Sequence, residues 1–260
     1  ALRRKRREHA AHDGDLGLVI EVDQHVAKPD RIERPEVGRQ GLHQVERLEL
    51  RALPQPAVDQ QLAFMGAGAE VVGHANLAAA LARSGPIYLA NLRRLIGAGM
   101  EGTSIVPPTQ AVSDAATIDL GGRVLELRAW PTAHTATDLT VLDRTTGTLF
   151  AGDLLFMERL PVVDGSLLGW LRVMDELQAL PATRVVPGHG PPSAPWPDAA
   201  RPQRDYLLYL RDQVRAELGR NRTLEQAVDE IPPPSGTLWL LAADNHARNV
   251  TASFTELEWE

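Results

Sequence analysis

Three short apolar runs, each followed by a His or an Asp, restrict the possible folds of this chain more than any other feature. The runs begin near residues 125, 148 and 184, and the polar residues that follow them are His134, Asp153 and His189. Imidazole nitrogen is a good zinc ligand, and a carboxylate can bridge two cations. Because strands are rigid, strands that deliver these side chains to one end of a sheet suit a metal site. The pattern therefore predicts a zinc or iron site at that end.

The chain after Phe64 reads as a strand-rich centre followed by helices. Strands are predicted at 116–120, 124–129, 139–143, 148–151 and 183–187, separated in part by Gly-Gly and Thr-Gly turns. Helices are predicted at 77–83, 87–96, 167–180, 199–219 and 224–231. Asn76 and Ser166 are candidate N-caps, and Thr223 with Gln226 has the spacing of a capping box.

These residues carry a family resemblance. From about Gly66 to Glu260 the chain resembles the later two-thirds of a metallo-β-lactamase-fold hydrolase. The metal ligands of that superfamily are an HxHxDH motif, then a His, a bridging Asp and a last His in a GHG-like loop. His134, Asp153 and His189 match the last three. The resemblance implies an α/β fold, a four-layer αββα sandwich, whose N-terminal half-sheet is atypical or incomplete here.

Within the superfamily, the chain resembles the quinoprotein-relay (SoxH-like) zinc metallohydrolases in particular. The segments that carry this likeness are GAGAEVVGHANLAAAL, GDLLFMERLPVVDGSLLGWL and HARNVTASFTELEWE. The resemblance implies hydrolysis of a small ester, thioester or amide by a metal-bound hydroxide. It also implies two zinc ions, with iron or manganese as alternatives. In that pattern His134 binds the first metal, Asp153 bridges, and His189 binds the second.

The chain departs from the family at the first motif. HxHxDH is absent from its expected place, where the sequence reads LPQPAVDQQL, and only Asp59 there suits a family role. Asp59 is the candidate catalytic residue, which would orient the nucleophile or bind the second metal. With the other ligands missing, the chain is expected to bind zinc weakly and to be impaired as a hydrolase. The alternative is a catalytically inactive pseudo-hydrolase that serves as a binding or scaffold protein.

A change of composition near residue 63 divides the chain. No Phe, Tyr or Trp precedes Phe64, and 22 of the first 62 residues are charged, against 23% of the whole chain. Aromatic residues contribute much of the apolar surface that a core buries. A segment without them buries too little of it to offset the conformational entropy lost on folding. We therefore expect a charged N-terminal segment at 1–62, either disordered or not native, and a metallo-β-lactamase-like domain at 63–260. Two explanations for the N-terminal segment compete. One is a decayed or rearranged protein that has lost its first motif, and the other is a non-native N-terminal sequence produced by a frame error or a wrong start.

Charge and hydropathy limit the partners. The net charge of −7 argues against nucleic-acid binding, which depends on Lys and Arg to neutralise phosphates. No apolar stretch reaches the ~20 residues that a helix needs to span a membrane. The expected partner is a small-molecule substrate. The protein is expected in the periplasm, as the resemblance implies, if a signal peptide is missing from this sequence, and otherwise in the cytoplasm.

Several other residues have competing interpretations. His74 is expected to have a core or capping role. His246 is expected to be solvent-facing or structural, with a position near the mouth of the site as the alternative. Four large apolar residues either line a pocket near the ligands or pack in the core; they are Trp130, Phe156, Met157 and Trp170.

Overall fold

The computed structural model describes residues 70–100, 103–235 and 239–260. Within these ranges the chain forms eight strands and five α-helices, with 3₁₀ turns at Gly97–Met100 and Asp198–Ala200. In chain order they are β1 (Val72–His74), α1 (Leu77–Ile96), β2 (Gln110–Val112), β3 (Ala115–Asp119), β4 (Val124–Ala129), β5 (Leu139–Asp143), β6 (Thr148–Phe156), α2 (Leu167–Gln178), β7 (Arg184–His189), β8 (Ala194–Pro195), α3 (Arg201–Gly219), α4 (Leu224–Glu230) and α5 (Ala242–Leu257). None of these helices is long and apolar enough to cross a membrane.

Six strands form one sheet in the order β3-β4-β5-β6-β7-β8, and β1 pairs with β2 separately. Strands β3 to β6 pair antiparallel, whereas β6 and β7 are parallel. Strands β4, β6 and β7 therefore run in the same direction, and their carboxyl ends lie at one edge of the sheet. This topology brings together the loop after β4 and the ends of β6 and β7.

The sheet is buried on both faces. Leu125 and Leu127 of β4 pack with Val112 and Val141 on one face. The opposite face packs against the helices, in a larger cluster that joins residues of β5, β6 and β7 to α2, α3 and α5. Two tryptophans at the centre of this cluster, Trp130 and Trp170, are buried. The chain therefore has a substantial core that supports the sheet edge from one side.

The strand predictions are confirmed at β4 and β5 and corrected at β6. β6 continues to Phe156, so Asp153 lies within a strand and not in the loop after one. The pairing with β7 changes register around Gly152, which has φ +53°, and resumes where Phe156 faces His189. A bulge of this kind re-aims a side chain without ending the strand. The strand was predicted to end before Gly152, because the pairing of β6 with β7 cannot be read from neighbouring residues in the sequence.

The helix predictions are partly wrong. Helices predicted at 77–83 and 87–96 are one helix, α1, with Pro86 inside it. Asn76 precedes α1 but makes no side-chain cap, and its Nδ2 donates to the carbonyl of Ala136. The caps of α2 and α4 are confirmed: Ser166 accepts from the backbone of the first turn, and the Thr223–Gln226 capping box is present. Helix α5 was not predicted.

Candidate metal centre

The three predicted ligands meet at the carboxyl edge of the sheet. His134 lies in the loop between β4 and β5, Asp153 follows the bulge in β6, and His189 is the last residue of β7. Each is therefore anchored by a different strand or by the loop beside it. The side chains of the two histidines are largely buried, and that of Asp153 is 44% exposed.

The carboxylate of Asp153 lies between the two imidazoles. Its Oδ2 is 3.6 Å from Nε2 of His134, and its Oδ1 is 3.4 Å from Nε2 of His189. Each histidine thus faces a different oxygen of one carboxylate. A carboxylate placed in this way has the geometry needed to bridge two cations, one beside each ring.

A backbone hydrogen bond orients the His134 ring. Nδ1 of His134 lies 2.7 Å from the carbonyl oxygen of Val162. A carbonyl only accepts, so Nδ1 carries a proton, and the lone pair of the neutral ring is then on Nε2, the nitrogen that faces Asp153. A ligand histidine in metalloproteins is typically held in this way through its other ring nitrogen.

Aromatic rings pack behind the two histidines. The Phe156 ring centroid is 5.3 Å from that of His134 and 4.7 Å from that of His189. Trp170 lies 5.1 Å from the His134 ring and donates its indole N–H to the carbonyl of Leu154. Of the four residues considered for a pocket, Trp130, Phe156 and Trp170 are buried in the core, and Met157 is only half-buried. Phe156 and Trp170 therefore hold the two imidazole rings in place and exclude water from the side of the rings that faces the core.

A buried carboxylate that the sequence analysis missed braces the His134 loop. Asp138 accepts hydrogen bonds from the backbone N–H and the hydroxyl of Thr135, at 3.0 and 2.7 Å. Burial raises the pKa of Asp138, an effect that these two bonds partly offset. The available signal was the Thr135-x-x-Asp138 spacing, which is typical of a side-chain-stabilised turn.

Two further histidines lie in the described ranges, and both have the structural role that was expected; the solvent-facing alternative for His246 is wrong, because its side chain is buried. His74 is buried, its Nε2 lies 3.2 Å from the carbonyl of Trp130, and its Nδ1 accepts from the N–H of Asn76. His246 is buried between Tyr206 and the carbonyl of Ile231. Burial lowers the pKa of His246. Both ring nitrogens of each histidine are occupied, so these residues are structural.

The donors at the sheet edge fit part of a metal site. Nitrogen and oxygen ligands of one tetrahedral zinc ion, at bonds of about 2.0–2.2 Å, lie about 3.3 Å apart. The separations of 3.4 and 3.6 Å are close to this value. In the described ranges, however, no group of three or more His, Cys, Asp or Glu could hold a metal ion. Each prospective ion has one histidine and the shared Asp153, and the candidate Asp59 lies outside the described residues.

The family model described as "Metallo-beta-lactamase superfamily" matches residues 12–189, which include all three clustered ligands. The chain therefore belongs to the metallo-β-lactamase superfamily, whose members typically bind metal ions and include lactamases and sulfatases. The predicted α/β fold class is confirmed. The match begins upstream of the described residues and spans Asp59. No curated protein matches the chain.

The solved structures that this chain is similar to have low sequence identity to it. A metallo-beta-lactamase from Pontibacter korlensis is 23% identical, with TM-score 0.44, over 57% of this chain and 62% of that one. The stereoselective inverting sec-alkylsulfatase Pisa1 from Pseudomonas sp. is 14% identical, with TM-score 0.53, over 75% of this chain and 37% of that one. A metallo-beta-lactamase family protein from Thermus thermophilus is 20% identical, with TM-score 0.49, over 75% of this chain and 67% of that one. The chain thus spans less than two-thirds of the first two.

Proposed function

We propose that this protein is a zinc-dependent hydrolase of a small ester, thioester or amide, impaired by the lack of the HxHxDH motif. The observation that carries the proposal is the position of Asp153, whose two oxygens face Nε2 of His134 and Nε2 of His189. Membership of the superfamily supports a metal-dependent hydrolase.

The residues have distinct tasks in this proposal. The chemistry that a metal ion would supply at this site is an acidified water and polarisation of a substrate carbonyl. His134 and His189 would each hold one ion and Asp153 would bridge them. The Val162 carbonyl keeps the proton of His134 on Nδ1, away from the metal side of the ring. Asp59 is proposed to orient the nucleophile or bind the second ion. Iron and manganese are alternatives, because imidazole and carboxylate also suit those metals.

The substrate class and the location belong to the same proposal. The resemblance to the SoxH-like zinc metallohydrolases supports a small ester or thioester and a periplasmic location. The net charge of −7 supports a small molecule over a nucleic acid. The division into a charged segment at 1–62 and a domain at 63–260 is proposed on composition alone, and the family match, which begins at residue 12, extends across its boundary.

The second candidate function is that of a pseudo-hydrolase with a binding or scaffold role. The observation that favours it is the LPQPAVDQQL sequence in place of the first motif. In this alternative the fold and the His–Asp–His cluster persist, but no competent pair of metal ions assembles.

Chelation distinguishes the two functions. The full chain is assayed with p-nitrophenyl acetate and a small acyl thioester before EDTA, after EDTA and after added zinc. For the hydrolase we expect slow turnover that EDTA abolishes and zinc restores. Asp153→Asn should lower the zinc-restored rate at least tenfold, while the exposed control Asp205→Asn leaves it unchanged. Saturable partner binding that ignores EDTA, with no zinc-restored turnover, would establish the pseudo-hydrolase instead.

A further inference from the structure

We infer that Asn249 is a positioning residue for the metal ligand His134, and that it acts through the backbone around Val162. The inference deepens the proposed function, because His134 matters here as a prospective metal ligand. Asn249 belongs to the C-terminal HARNV sequence and lies 115 positions from His134 along the chain.

The carbonyl that orients His134 lies in a segment without regular structure. Residues 161–163 form neither helix nor strand, and Pro161 has no N–H with which to anchor itself. The direction of the Val162 carbonyl therefore depends on what holds its two neighbours. Asp164, the residue after this segment, donates its N–H to the His134 carbonyl at 3.2 Å.

Asn249 holds both neighbours of Val162. Its Nδ2 donates to the carbonyl of Pro161 at 2.6 Å, and its Oδ1 accepts from the N–H of Val163 at 2.9 Å. The side-chain amide thus pairs with the backbone on both sides of Val162, as a neighbouring strand would. Asn249 is fully buried, so water does not compete for these bonds.

The orientation of the amide is determined by its partners. The Val163 N–H can only donate and the Pro161 carbonyl can only accept, so the oxygen and nitrogen of Asn249 cannot be exchanged. Nδ2 also donates to the hydroxyl of Tyr206 at 2.9 Å. That hydroxyl lies 3.1 Å from Nδ1 of His246, to which it donates its own proton.

The network behind Asn249 ends in a fixed acceptor. The carbonyl of Ile231, 3.1 Å from Nε2 of His246, only accepts, so Nε2 carries the proton of the neutral ring and Nδ1 accepts from the Tyr206 hydroxyl. Every bond from Ile231 to Pro161 then has a defined direction. Burial raises the pKa of Tyr206 and lowers that of His246, so both groups stay neutral near pH 7 and the pattern is kept.

The first test is the proton position on His134 in the metal-free full chain. ¹⁵N-resolved NMR at alkaline pH, where imidazoles are neutral, distinguishes Nδ1–H from Nε2–H. We expect Nδ1–H in the natural sequence and a mixture of both forms in Asn249→Ala. The isosteric Asn249→Asp keeps the acceptor for the Val163 N–H but loses the donor to both Pro161 and Tyr206, and it should also give a mixture. An Nε2–H ring in the natural sequence would overturn the inference, even if Asn249→Ala does not fold.

The second test is zinc affinity, measured by calorimetry on the same proteins. Loss of a residue that supports a ligand costs about 10–100-fold in metal affinity, and we expect that range for Asn249→Ala. Tyr206→Phe is the matched control, because it removes the buried network while leaving both bonds to segment 161–163 intact; it should change the affinity less than about threefold. An equal loss in both variants would indicate general destabilisation and overturn the inference. If the natural sequence binds no zinc, the proposed metal site fails, and the tautomer alone decides the role of Asn249.

Discussion

Gly188 leaves room for the carboxylate of Asp153. A methyl group on the Cα of Gly188 would lie 2.1 Å from Oδ1 of Asp153 and 2.8 Å from its backbone nitrogen. The glycine before His189 therefore allows the Asp153 carboxylate of the neighbouring strand to occupy the space that a side chain at position 188 would take.

Replacement of Gly188 by alanine should displace Asp153. Because backbone and carboxylate atoms both stand in the way, we expect the variant to lose about 1–3 kcal/mol of stability. We also expect at least a tenfold loss of zinc affinity. Urea denaturation and calorimetric zinc titration measure the two effects. Gly219→Ala is the control, since nothing lies within 4 Å of its added methyl. Equal zinc binding by the two variants would contradict this role for Gly188.

The incomplete ligand set predicts weak metal retention. Catalytic zinc normally has three protein ligands, and each prospective ion here has two among the described residues. We expect a zinc dissociation constant above about 1 µM, which corresponds to a binding free energy weaker than about −8 kcal/mol. Dialysis followed by metal analysis checks this directly. Retention of two zinc ions per chain would show that residues outside the described ranges complete the site.

Acid should destabilise the protein through Asp143. The guanidinium of Arg123 and the hydroxyl of Thr146 donate to this buried carboxylate and lower its pKa to about 2. A carboxyl whose folded pKa lies below its unfolded value of about 3.9 stabilises the fold fully above that value. We expect this contribution to be about 1–2 kcal/mol, because solvent reaches Arg123 and screens its interaction with Asp143. The contribution is lost as the pH falls from about 4 to 2.

Urea denaturation at several pH values tests this assignment. Asp143→Asn should be less stable than the natural sequence at pH 6, and the difference should shrink toward pH 2. The exposed Asp229→Asn serves as the control and should show no such difference. A constant gap between pH 6 and pH 2 would rule out the titration of Asp143 as its cause.

The nucleotide sequence tests the interpretation of residues 1–62. Drift that removes ligands should leave hydrophobic strands behind, whereas this segment has no aromatic residue and 22 charged ones. We expect a second reading frame to encode HxHxDH directly upstream of the Phe64 codon. If no frame does so, the missing ligands are a property of the protein, and the binding or scaffold function is favoured.

Local sequence rules succeeded where neighbouring residues decide the structure. β4 and β5 have the predicted bounds, and Ser166 and Thr223 cap their helices as expected, because alternation and capping act over a few residues. The rules failed at Pro86, where α1 continues, and at Gly152, where β6 bulges but does not end. At both positions the outcome depends on contacts outside the local window: Ile105 packs against Gly85, and β7 pairs along β6.

The sequence by itself determined which residues have the chemistry for a metal, since only His and carboxylate side chains in a recognisable order were needed to select His134, Asp153 and His189. Tertiary structure decided how they are arranged. The parallel alignment of β6 with β7 sets Asp153 between the two rings, and Gly188 provides the space. Tertiary structure also decided how the His134 ring is oriented. The bond between His134 and Val162 joins residues 28 positions apart, and the bond between Val163 and Asn249 joins residues 86 positions apart. Such contacts depend on packing, and no local pattern in the sequence encodes them.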